Sequence, residues 1–188
     1  MRRFASRRIL VGSLLLVTLV AYAGLVGLRV LYPTAYMEEI AAAAATHGLD
    51  RAFVAAVVRC ESRFRATAVS PRGAVGLMQI MPETGAWIAE QLGIVDFAVD
   101  RLVDPEVNLR FGTWYLASLL ERFGSRDDAL AAYNAGPSHA ERWAANSGTV
   151  FPETRTYVER VIRAVPIYRF YFAPSWEWLL RITPSLLP

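Results

Sequence analysis

The sequence predicts an all-α protein, a small helical domain behind an N-terminal transmembrane helix. Three observations lead there. Helix caps followed by apolar residues at helical spacing recur along the chain, no convincing period-two alternation marks a strand, and a long uncharged apolar stretch stands near the start. The 188 residues suffice for one core of ordinary size plus an appendage, because such a core takes about 100 to 150 residues.

The first element is that stretch, ILVGSLLLVTLVAYAGLVGL from Ile9 to Leu28, long enough to cross a bilayer core of about 30 Å as a helix. Four arginines precede it and Arg29 follows, so the positive-inside bias keeps the N-terminus in the cytoplasm and sends the rest outward. Ala21-Tyr22-Ala23 also has the small-x-small form of a signal-peptidase site, whose cleavage would release a secreted, soluble protein. Apolar sequence continuing to Leu28 favours a single-pass anchor in the cell membrane. On either reading Tyr32 onward is extracytoplasmic.

Beyond the junction Tyr32-Pro33-Thr34 the helices follow in order. Met37 to Thr46 is alanine-rich and stops at Gly48, a C-cap candidate, and Asp50 then caps a helix to about Ser62. Arg63 to Val75 is polar, with Ser70-Pro71-Arg72-Gly73 as a turn, and GLMQIMP follows from Gly76 to Pro82. Asp104-Pro105 is a cap with proline at the first helical position, opening an amphipathic helix to about Phe123 that Gly124-Ser125 ends. A short helix from Asp127 to Tyr133 breaks at Asn134-Ala135-Gly136-Pro137, and Pro152 opens a last long helix through Val165. From Tyr168 to Pro188 the chain is apolar and aromatic, with Trp176 and Trp178, but Pro174 and Pro184 interrupt it. Such a tail is too short to span a membrane and suits packing on the domain or lying at the bilayer interface.

Composition excludes several function classes. The net charge of +3 is carried by the N-terminus: five arginines and no acid precede Pro33, leaving 15 arginines against 17 acids in the remainder. A folded part with that balance lacks the cation excess of a nucleic-acid binder. The single Cys60 has no partner for an intramolecular disulfide, and no Cys/His cluster calls for structural zinc or any other metal. A cysteine-nucleophile hydrolase would need His47 or His139 beside Cys60, and no motif places either there. Nothing points to an organic cofactor.

One carboxylate stands out. In the helix after Asp50, Phe53, Val54, Val57 and Val58 form an apolar stripe, and counting on by three or four gives Glu61, while Arg51 and Arg59 mark the other side. A carboxyl group on the buried stripe at a helix C-terminus is pushed toward its protonated form by burial and by the helix dipole. That suits a general acid near neutral pH. The plain alternative is a surface glutamate paired with Arg63 or Arg65 at a frayed helix end.

The residues downstream bear on the choice. In order, Glu61-Ser62, Ser70 to Gly76 (SPRGAVG), Gly76 to Pro82 (GLMQIMP), Ala132 to Gly136 (AYNAG) and Glu153 to Val158 (ETRTYV) resemble the soluble lytic transglycosylase family, whose catalytic domain is similar to goose-type lysozyme. The resemblance covers roughly residues 40–168. It implies a lysozyme-like helical fold with a groove for peptidoglycan glycan strands. It also implies a reaction in which one glutamate protonates the glycosidic oxygen between N-acetylmuramic acid and N-acetylglucosamine. The same glutamate then acts as base while the muramic acid O6 attacks its own C1, giving a 1,6-anhydro end.

By the same resemblance Glu61 is the acid and base. Ser70, Met78, Gln79, Tyr133, Asn134 and Tyr157 are substrate-binding: Ser70 a loop hydroxyl, Met78 an apolar wall, Gln79 a donor to the sugar, Tyr133 and Asn134 groove residues, and Tyr157 a neighbour of Glu61. Ser62 and Glu153 support, Ser62 by buttressing the helix end. Each has a plainer alternative: Tyr133 as a core aromatic, Asn134 as a helix cap, Glu153 as an acid in the first turn of its helix. The implied organisation is a cytoplasmic stub and signal-anchor over residues 1–31, a catalytic domain over 32–172 and an apolar tail over 173–188. Growth, division, sporulation or passage of a secretion apparatus would supply any cell-wall or secretion machinery as partners.

Overall fold

The structure is a computed structural model that describes residues 2–145 and 148–173, with the backbone alone for residues 2–11 and 25. It separates into two units, one ending at Pro33 and one beginning at Thr34. The first unit is the helix α1, Arg2–Leu31, whose stretch Gly12–Leu31 is long and apolar enough to cross a membrane. The apolar stretch read from the sequence, Ile9 to Leu28, coincides with it from Gly12 to Leu28.

The second unit is built from helices, and among the described residues it has isolated bridges but no strand. Helix α2, Met37–Thr46, leads to α3, Arg51–Ser62, which Asp50 caps by accepting the Ala52 N–H at 2.9 Å. The amphipathic stripe expected for α3 is instead burial all round: every residue from Ala52 to Val58 is 1% exposed or less. A helix apolar on all faces belongs at the centre of a core, and α3 packs against α8 and α2. Arg59, expected on the wet side, is half-buried.

Helix α4, Pro82–Gln91, and a 3-10 turn, Val99–Val103, precede α5, Pro105–Phe123, with Asp104 capping Glu106 N–H at 3.0 Å. Helices α6, Arg126–Ala135, and α7, Pro137–Ala144, meet at Gly136. Helix α8, Pro152–Tyr171, closes the unit against α3 and α6. It passes Val165, where the sequence suggests an end, and carries Pro166 on its exposed side. Proline there removes one backbone bond, and buried Val165 and Tyr168 on either side hold the axis. The expected tail, with Trp176 and Trp178, lies outside the described residues apart from Ala173.

Between α3 and α4 the chain turns back on itself through short antiparallel bridges, Val69 to Val75 and Val75 to Ile80. Asn108 on α5 holds this loop in place. Fully buried, it donates to Val75 O and Leu102 O at 2.8 Å each and accepts the Met78 N–H at 2.7 Å. Gly76 has φ 84, and a Cβ there would stand 2.1 Å from Asn108 Nδ2, so both backbone conformation and space demand glycine.

Candidate active site

Glu61 occupies the last turn of α3, where the buried core helix reaches partly open surface. Tyr157, 3% exposed on α8, donates its hydroxyl to Glu61 Oε1 at 2.6 Å. Burial pushes the Glu61 carboxyl up to about 7; the Tyr157 hydrogen bond and the positive charge of Arg160 pull the other way without overcoming it. Burial and the neighbouring Glu61 hold the Tyr157 phenol well above its ordinary value, so it stays a donor. Tyr133 is raised for the same two reasons, and its hydroxyl donates to Met78 O at 2.7 Å.

The turn that follows Glu61 is strained. Arg63 and Phe64 both take left-handed backbone, φ 54 and 63, a conformation unfavourable for residues with a Cβ. Burial of the Phe64 ring, 5.7 Å from that of Tyr168, offsets the strain.

Several residues sit differently from expectation. Met78, expected as a groove wall, is 0% exposed, and its Sδ lies so close to Gly112 that a Cβ there would be 2.3 Å away. The apolar side chain that reaches the surface from the same segment is Met81, the N-cap residue of α4. Gln79, expected to donate to sugar, instead donates its Nε2 to Ala68 O at 3.1 Å and Gly76 O at 2.9 Å. Ser70 Oγ accepts from Arg72 N and Ala74 N at 3.3 and 3.0 Å, shaping its own turn and leaving the hydroxyl proton to point elsewhere. Asn134 does not cap α6, which runs one residue further to a cap at Gly136; its Oδ1 accepts from Thr154 Oγ1 at 2.9 Å, tying α6 to α8.

The remaining positions match what their sequence context suggests. Ser62 is buried and donates to Val58 O at 3.3 Å, bracing the helix end. Glu153 is exposed in the first turn of α8. Leu77 and Ile80 point inward. At Cys60 burial raises the thiol's pKa, and the charged groups acting on it are Arg59, Arg160 and Glu61, with no histidine. Sequence reasoning missed Asn108, Met81 and Tyr115, whose ring stands 5.6 Å from that of Tyr133. No local sequence signal separates Met81 from Met78, since both lie in one apolar segment, and only the folded loop buries Met78 and leaves Met81 partly open.

A buried central helix ending in a glutamate that accepts a hydrogen bond from a tyrosine of the closing helix sits within a lysozyme-like all-α domain. The chain belongs to the transglycosylase SLT-domain family, which matches residues 38–154. It is 35% identical over 153 residues to the soluble lytic murein transglycosylase of Salmonella typhimurium, covering 74% of this chain and 24% of that protein. Over 116 residues it is 39% identical to membrane-bound lytic murein transglycosylase F of Desulfosudis oleivorans, covering 56% of this chain and 24% of the relative. The 70 kDa soluble lytic transglycosylase of Escherichia coli superposes with a TM-score of 0.70 at 32% identity, over 76% of this chain and 25% of that one. An inactive mutant of lytic transglycosylase Slt from Pseudomonas aeruginosa gives 0.69 at 34% identity, over 75% and 25%. The chain therefore spans about a quarter of the length of these relatives.

Proposed function

We propose that this protein is a peptidoglycan lytic transglycosylase, with Glu61 as its one catalytic carboxyl. The observation that carries the reading is the Glu61 carboxyl at the partly open end of a buried helix, hydrogen-bonded by Tyr157 at 2.6 Å and raised to about 7. At neutral pH about half of such groups hold a proton ready to give, which an exposed glutamate would have lost.

In the proposed reaction Glu61 gives its proton to the glycosidic oxygen as the bond from C1 of N-acetylmuramic acid breaks, and the freed N-acetylglucosamine keeps that proton as a hydroxyl. The substrate's N-acetyl oxygen steadies the positive charge at C1. Glu61, now ionised, takes the O6 proton while O6 bonds to C1, closing the 1,6-anhydro ring and restoring the acid without consuming water. Hydrolytic glycosidases ordinarily place a second carboxylate across the bond. Burial raises the Glu61 carboxyl against the opposing pull of Tyr157 and Arg160. Intramolecular attack by O6 supports a one-acid scheme because it carries a large proximity advantage over water.

We further infer that the Gly12–Leu31 segment anchors the protein in the membrane once, with the helical domain outside the cytoplasm; its length and the membrane-bound naming of a relative support this. Mass spectrometry of products from purified sacculi tests the chemistry. Anhydro-ended muropeptides are expected, and reducing ends would assign a hydrolytic muramidase instead. Glu61→Gln is expected to abolish release of either product; turnover surviving that change would remove Glu61 from its role.

A further inference from the structure

The buried stripe of α8 runs through Thr154, Tyr157, Val161, Ala164, Val165 and Tyr168, and its first member is a hydroxyl side chain only 1% exposed. Thr156, two residues on, does what a threonine in a helix commonly does: exposed, it donates back to Pro152 O at 2.9 Å. Thr154 reaches across instead, and its Oγ1 donates to Asn134 Oδ1 on α6 at 2.9 Å. Apolar contact is non-directional, so valine and alanine on a packed stripe favour no single register by themselves. A hydrogen bond is directional, and one that crosses between helices selects a register.

The register held here is the one the candidate site depends on. Thr154 lies one turn before Tyr157 on the same face of α8, and Asn134 directly follows Tyr133 on α6. Tyr157 donates to Glu61 Oε1 at 2.6 Å, and Tyr133 donates to Met78 O at 2.7 Å. Among the described residues, the titratable and charged groups interacting with Glu61 are Cys60 from its own helix, Tyr133 from α6, and Tyr157 and Arg160 from α8. Thr154 and Asn134 carry no charge, so their influence on the carboxyl passes through the placement of Tyr157.

We propose that Thr154 is a positioning residue: through Asn134 it locks α8 to α6 in the register that delivers the Tyr157 hydroxyl to Glu61. The inference rests on the proposed acid role of Glu61 and adds to it a buried group that acts at one remove from the carboxyl.

The test follows anhydro-product release from purified sacculi by the full chain in detergent, as pH–rate profiles with kcat and KM separated. Thr154→Val keeps shape and burial and removes the hydroxyl. It should lower kcat about tenfold, the upper scale of one lost hydrogen bond, and leave KM nearly unchanged. The alkaline limb should move to higher pH, because a loosened Tyr157 bond no longer holds the Glu61 carboxyl down. Thr154→Ser, which retains the hydroxyl, should restore both, and in a Tyr157→Phe background Thr154→Val should move the limb no further. Should Thr154→Val fail to fold, Asn134→Ala, at an exposed position, breaks the same bond from its other end and should give the same limb shift. A lowered urea midpoint with kcat and the limb unmoved would reduce Thr154 to a structural role, and failure of serine to rescue would show that the hydroxyl is not what acts. Either result overturns the inference. Turnover surviving Glu61→Gln removes the acid role itself, whereas turnover abolished by Glu61→Gln beside an unmoved Thr154→Val profile removes only the positioning role.

Discussion

At the scale of single residues, the raised pKa of Glu61 bears on the proposed acid role and on stability alike. A group that must start protonated loses activity as pH rises through its pKa, so the rate of anhydro-product formation should fall on the alkaline side of about pH 7. Tyr157 and Arg160 each lower that pKa, so Tyr157→Phe or Arg160→Ala should move the alkaline limb to higher pH, measured by pH–rate profiles of kcat/KM. The limb staying in place in both variants would mean that another group controls it.

The same shift has a stability sign. Raised from 4.5 to about 7 in the folded chain, Glu61 costs nothing below pH 4.5 and progressively destabilises the fold between pH 4.5 and 7, by up to about 3 kcal/mol. Glu61→Gln should therefore match the native protein in urea at pH 4.5 and exceed its stability at pH 8. Glu61 was legible because its spacing continued an apolar run and its neighbours matched motifs. Met78 and Gln79 were misread because a motif gives residue order, whereas the bridged loop decides which side chains face out and which amide end is already bonded.

At the scale of elements, the loop from Ala68 to Met81 has almost no regular structure of its own and depends on Asn108. Three hydrogen bonds converge on that side chain, buried ones from Met78 and Leu102 and a part-buried one from Val75. Asn108→Ala leaves the Leu102 carbonyl and the Met78 N–H buried without that partner and the Val75 carbonyl part-buried without it, each buried loss costing about 1 to 3 kcal/mol. We expect a loss of at least about 3 kcal/mol in urea unfolding, and a disproportionate drop in turnover because Gln79 and Met81 ride on the same loop. A loss below about 1 kcal/mol would show that water takes over those bonds.

Sequence reading reached α2, α3, α5, α6 and α8 because their caps are local, such as Asp50 at α3 and Asp104-Pro105 at α5. Helices α4 and α7 begin at Pro82 and Pro137 directly after motif segments, where the proline reads equally well as the end of a loop. The partnership of Asn108 with a loop more than 30 residues earlier has no local signature. It follows only from tertiary packing.

At the scale of the whole molecule, the chain divides near Pro33 into a helix and a domain that each keep their own contacts. The helix α1 contributes no residue to the described site, whose members run from Glu61 to Tyr157. A chain beginning at Thr34 should then fold with the same unfolding midpoint and give the same product from dispersed, soluble glycan fragments. Anchoring would change something else, confining the enzyme to wall within reach of the bilayer. In cell fractionation the full chain should sediment with membranes and the shortened chain should not, while protease added outside should reach the domain of the full chain. A shortened chain that still sediments would shift the anchoring role to the apolar sequence beyond Ala173. One that fails to fold would show that α1 supports the domain as well as tethering it.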